Sequence, residues 1–209
     1  MSLLSTVALW FSRWQKPSAG ASVAQAASPQ RVVTHETQSF GETLAKIAES
    51  QVGHHEEGGN NLGPDVVEYQ KATWMTPGAW PWCAAFVCWC VWHAMTTMGL
   101  SPTWKRPRTA GAYDLEEWAV GKYGAMFNAF KVFASNPTKP DTWPRRGDIV
   151  TFTWSHTGIV TGYDQTTRRL QTVEGNAGMG LTSDSSKGDG VVAKEQHITK
   201  VRRLIRYVG

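Results

Sequence analysis

The sequence predicts an α+β domain in which N-terminal helices pack on an antiparallel β-sheet. Two observations carry this. Apolar residues at helical spacing dominate the first half of the chain, and after Gly147-Asp148 β-branched and aromatic residues alternate with polar ones. A length of 209 residues with 41% hydrophobic content suffices for one domain with its own core, plus an extension.

The extension comes first. In MSLLSTVALWFSRWQK, Leu3, Leu4, Val7, Trp10, Phe11 and Trp14 fall at helical spacing, with Arg13 and Lys16 at the far end. This reads as an amphipathic segment for a partner or a membrane surface, with a loosely packed terminus as the plain alternative. A secretory signal would place its positive charge ahead of the apolar stretch and is disfavoured, although Ala24-Gln25-Ala26 resembles a small-residue cleavage site. Pro17 to Gln38 is a Ser-, Ala-, Gln- and Val-rich linker, so residues 1–37 are set apart from a folded domain over 38–209.

In the domain, Gly41-Glu42-Thr43 leads into Leu44, Ile47 and Ala48 as a first helix, stopped by Gly53. GHHEEGGNNLGP is a loop by its glycines, and Asp65 to Lys71 a short helix. After Pro77-Gly78 and Pro81, residues 84–98 are apolar or small nearly all round. That is the pattern of a buried helix, ended by Gly99. A further helix is expected over Gly111 to Val120, and irregular structure with one more short helix over 121–147. Strand texture occupies Ile149 to Trp154, Thr157 to Tyr163, Arg169 to Val173 and Val191 to Val208.

Charge is moderate: 21 Lys and Arg against 17 Asp and Glu give +4, which does not indicate a nucleic-acid binder. Lys194, Lys200, Arg202, Arg203 and Arg206 alternate with apolar Val201, Leu204, Ile205 and Val208, the pattern of a terminal strand with a solvated basic face. Eleven tryptophans suit core packing and sugar stacking equally. No run approaches the roughly 18 apolar residues of a membrane-spanning helix.

All three cysteines fall in PWCAAFVCWC, Pro81 to Cys90. On one helix Cys83 and Cys90 are separated by about 10 Å along the axis, and Cys83 and Cys88 point about 140° apart. A disulfide, which needs Cα atoms within about 7 Å, is therefore excluded, and so is a shared zinc. Cys88 and Cys90 read as small buried apolar residues. Cys83 stands where the helix begins, and unsatisfied N–H groups there favour a thiolate. Position alone leaves it between a core thiol and a nucleophile.

Among six histidines, His93 reads as a core residue, and His35 and His197 have no company. His54-His55-Glu56-Glu57 resembles a metal cluster, but sequence neighbours point apart and no spaced ligand supports them, so no metal is expected. His156 opens a strand, with Gly158 leaving room for a substrate beside it. In VEGN, Glu174 and Asn176 are two apart on a strand, a spacing that would let both orient an imidazole. Taken singly, each is also explained as a turn histidine or a polar strand end.

WCAAFV (Trp82 to Val87), PRRGDIVTF (Pro144 to Phe152), HTGIV (His156 to Val160) and VEGN (Val173 to Asn176) together resemble the CHAP family of cysteine- and histidine-dependent amidohydrolases and peptidases. EEGGNNLGPDVVEYQ, Glu56 to Gln70, resembles the stretch ahead of the nucleophile in many such domains. The resemblance covers about Gly41 to Ala177 and implies a papain-like α+β fold. It implies Cys83 as nucleophile, His156 as general base and then acid, and Glu174 and Asn176 as the groups orienting the imidazole. The oxyanion would rest on the Cys83 N–H and one more donor, for which Asn61 and Tyr69 are candidates.

Many members cleave peptidoglycan. The expected function is therefore a peptidoglycan amidase or peptide-bridge endopeptidase. A phage or prophage lysin passing from host cytoplasm to the wall, or a tail-associated wall hydrolase, fits the compact form. An amidase on small peptide or polyamine conjugates and a non-enzymatic virion or binding module are the alternatives. No cofactor is expected: an Asp-x-Asp-Gly pattern is lacking, and Glu56, Glu57 and Asp65 make a poor calcium site.

Overall fold

A computed structural model of the chain describes residues 39–100, 106–121, 129–178 and 189–209. The amphipathic N-terminal segment, the linker with His35 and the expected boundary at residues 37–38 lie outside them.

Ser39 caps helix α1 (Phe40–Ser50), its Oγ accepting from the Glu42 N–H at 3.2 Å, and the apolar spacing buries Phe40, Leu44, Ala45 and Ala48. Helix α2 (Pro64–Gln70) has proline in its first turn, where the missing N–H costs nothing. Helix α3 (Cys83–Thr97) is the hydrophobic centre of the molecule, with Cys83 to Cys88 buried in succession. Its outer side is more open than predicted: His93 is exposed, its ring 4.0 Å from that of Trp89, and is not a core residue. Helix α4 (Asp114–Ala119) starts later than Gly111. The Thr109 hydroxyl accepts from the Gly111 N–H and donates to Asp114, which holds residues 109–111 in a turn.

The strands are β1 (Phe130–Phe133), β2 (Ile149–Phe152), β3 (Thr157–Asp164), β4 (Arg169–Ala177), β5 (Gly190–His197) and β6 (Val201–Tyr207). They form one sheet in the order β1-β6-β2-β3-β4-β5, with every neighbouring pair antiparallel. Strand β1 lies where irregular structure was expected. Four residues, FKVF, are too few to show alternation, and pairing with β6 makes them a strand. The predicted terminal stretch is two strands, parted by a 3-10 turn at Ile198–Lys200.

Alternation along the strands divides two cores. Ile149, Ile159, Val173, Val191 and Ile205 join the helices in the main cluster, while Val150, Phe152, Val160, Leu170 and Leu204 pack together with Ile198 in a second. The fold is thus the α+β class predicted. Helix and sheet are locked at a backbone contact: Gly147 has φ +85°, and a Cβ there would lie 2.2 Å from the Gly41 Cα. Beside it Arg146 reaches Glu42 and Glu49 of α1 and the Thr161 carbonyl of β3. The basic face of β6 is only partly solvated. Arg202 pairs with Glu116, and Arg206 makes a two-pronged contact with buried Asp148 at 2.7 Å on each oxygen.

Candidate active site

Cys83 is the first residue of α3, and no side chain caps that helix start. The turn from Pro81 through Trp82 is fixed by burial of Trp82, whose indole stacks on Tyr69 at 5.4 Å. On the other side the indole meets β4 at Gly175, where a Cβ would lie 2.9 Å from the indole and 2.6 Å from Phe86. Only glycine lets the strand approach the start of α3 this closely. Cys83 is 5% exposed, and all three cysteines are free thiols. Burial pushes the Cys88 thiol up to about 12, against a 3.4 Å contact with the Thr109 carbonyl, and raises Cys90 well above its usual range. Both are inert core groups.

His156 ends the turn before β3 and is 3% exposed. Its Nε2 lies 3.0 Å from Glu174 Oε2, while Glu174 Oε1 accepts from the Thr172 hydroxyl at 2.7 Å and the Gln196 amide at 3.0 Å. Burial favours a neutral Glu174, but His156 and these two donors outweigh it and hold the carboxyl below its ordinary range. An ionised Glu174 accepts a hydrogen bond from Nε2–H, which leaves Nδ1 as the ring nitrogen that faces away from it. That nitrogen is buried, and apart from the Cys83 sulfur it has no partner within the protein. Burial alone would depress the imidazolium, yet the adjoining Cys83 sulfur and then Glu174 overcome it and raise the pKa to about 9. The imidazole therefore sits between a carboxylate and a thiol. Its plane is close to those of Phe152 and Trp154, at 17° and 8°.

The space beside Gly158, expected to admit a substrate, is filled from within. A Cβ at that position would meet Glu174 Cγ at 2.8 Å, so the glycine makes room for the carboxylate that holds His156. Glu174 is hydrogen-bonded to the ring, and Asn176 is not. Between Glu174 and Ala177 the register against β5 shifts by a bulge, with Asn176 at φ +51°, and two-residue spacing no longer ensures a common face. The Asn176 amide is buried, with neither its oxygen nor its nitrogen hydrogen-bonded.

Upstream, Asn61 is 4% exposed at φ +58°, with its Oδ1 likewise buried and unbonded. Tyr69 is engaged elsewhere: its hydroxyl donates to Gln51 Oε1 at 3.1 Å, and burial raises its pKa far above the ordinary value. Among the described residues no three of His, Cys, Asp and Glu come together as a metal site. His54 pairs with Asp65 at 2.7 Å, and Glu56 turns the other way, to the Trp82 indole. Sequence reasoning missed Glu56, Thr172 and Gln196. Thr172 could have been found two residues before Glu174 on the same strand; Gln196 depends on register, which short strands do not disclose.

Residues 75–176, which contain Cys83, His156, Glu174 and Asn176, match the model of the CHAP domain family. The chain carries a CHAP domain. No curated protein matches the chain. CHAP domains are hydrolases of the amidase and peptidase type, and peptidoglycan is the substrate class they point to. The CHAP match begins after Asn61 and Tyr69, so both candidate oxyanion donors stand on the preceding loop and helix.

Proposed function

We propose that the protein cleaves amide bonds of peptidoglycan with Cys83 as nucleophile and His156 as the base and acid that serves it, oriented by Glu174. The observation that carries the reading is the imidazole held by Glu174 through Nε2, with Nδ1 left for the thiol at the start of α3. The raised basicity of His156 favours a thiolate–imidazolium pair, the form in which a cysteine attacks. Cys83 Sγ bonds to the carbonyl carbon, and the oxyanion rests on the Cys83 N–H and the Asn61 amide. His156 gives its Nδ1 proton to the departing amine as the C–N bond breaks. A water then attacks the thioester, giving its proton to His156, and Cys83 leaves as thiolate.

The bond is that of an N-acetylmuramoyl-L-alanine amidase or of a peptide-bridge endopeptidase. The setting we propose is a phage or prophage lysin, or a tail-associated wall hydrolase. Purified sacculi incubated with the protein should lose turbidity, and mass spectrometry of the released fragments should show one class of new amino terminus. Cys83→Ala should abolish both. Equal release by wild type and Cys83→Ala would refute the proposal; cleavage confined to soluble peptide or polyamine conjugates would move the substrate class; and inactivity on both would favour a binding module.

A further inference from the structure

Glu56 lies outside the family match and outside the imidazole's partners, yet each of its carboxylate oxygens ends on a separate part of the site. Oε1 accepts from the indole N–H of Trp82 at 2.9 Å, and Oε2 accepts from the backbone N–H of Asn61 at 2.7 Å. Its own N–H is fixed to the Asp189 carbonyl at 2.7 Å, next to the strand that flanks β4. Trp82 cannot yield, since it is fully buried between Tyr69 and Gly175. Asn61 is in the left-handed region, which asparagine enters more readily than most side chains, so the loop turns here without strain. One carboxylate thus links the residue before Cys83 to the loop residue Asn61, whose backbone N–H it holds and whose side-chain Oδ1 is buried without a partner.

We infer that Glu56 is a positioning residue: it clamps the Asn61 loop to Trp82 through the Asn61 backbone N–H so that the side-chain NH2 of Asn61 can donate to the oxyanion formed at Cys83. This rests on the function proposed above. A carboxylate is the group the geometry requires, because two N–H donors converge and each needs an acceptor. Glu56→Gln keeps the shape but offers one acceptor, so one donor must face an amide N–H.

The test uses the full chain and two independent readouts. Amide hydrogen exchange reports the clamp without any substrate. In Glu56→Gln the Asn61 amide should exchange about tenfold faster or more, while the amides of α3 keep their protection. Hydrolysis of sacculi reports the consequence. The maximal rate should fall on the order of tenfold to a hundredfold, with the half-saturating sacculus concentration and the pH dependence of Cys83 alkylation by iodoacetamide unchanged within about twofold. In an Asn61→Ala background the same substitution should cost nothing further.

Unchanged Asn61 exchange overturns the clamp, and so does an equal loss in both backgrounds. A parallel fall in Cys83 alkylation would mean that Glu56 serves the thiol. If Glu56→Gln does not fold, Glu56→Asp, too short to span both donors, takes its place. Failure of both to fold overturns the positioning role in favour of a structural one. A wild type inactive on sacculi refutes the proposed substrate, while the exchange measurement still decides the clamp.

Discussion

At His156 the surroundings pull in opposite directions: burial disfavours the imidazolium, and the Cys83 sulfur and the Glu174 carboxylate restore it, to a pKa of about 9 against an ordinary 6.5. The group keeps its proton through neutrality and loses it as pH rises through about 9. In the proposed reaction that proton goes to the leaving amine, so the rate of hydrolysis should hold through neutral pH and fall on the alkaline side near 9. Glu174→Gln removes one of the two supports and should draw this limb to lower pH; a limb that does not move would remove Glu174 from the mechanism. Cys83 and His156 were legible in the sequence because each stands at a break, one at a helix start after proline and one at a strand start. The local geometry of Asn176 was not, because a bulge one residue long interrupts the two-residue period after Glu174. Glu56 was hidden by its own context, a run of His and Glu whose members point to different partners.

Between elements, the decisive contact is that of β4 with the first turn of α3. Glycine at 175 leaves space for Phe86 and Trp82 and for nothing more. Gly175→Ala should therefore force strand and helix apart, lowering stability by about 1–3 kcal/mol and displacing His156 and Glu174 from Cys83. Thermal unfolding and the rate of Cys83 alkylation would both register it, and an unaltered alkylation rate would show that the two elements move as one. Helix α3 was readable because, His93 apart, its fifteen residues are apolar or small, and so long a run admits few other structures. Strand β1 was not, since its assignment comes from β6 and not from its own four residues.

Across the molecule, Asp148 and Arg206 tie the turn before β2 to the last strand. Burial holds the Asp148 carboxyl above its usual range, even though Arg206 and the Arg145 N–H lower it, so the pair is a costly one to maintain. Removing one partner is worse: Asp148→Asn leaves a largely buried guanidinium without its counter-charge and should destabilise the fold by about 3–5 kcal/mol in chemical denaturation. A loss below about 1 kcal/mol would mean that the Asp141 and Trp143 carbonyls, which Arg206 also contacts, are anchor enough. Helices before strands gave the fold class from sequence, but strand order was beyond it, because the chain returns after β5 to insert its last strand between β1 and β2. That insertion has a consequence for biosynthesis. Until residues 201–207 have been made, β1 has no partner and β2 has a bare edge, so a nascent chain that already contains Cys83, His156 and Glu174 still lacks the strand that closes its sheet. A domain built in this order stays incomplete until β6 has been translated.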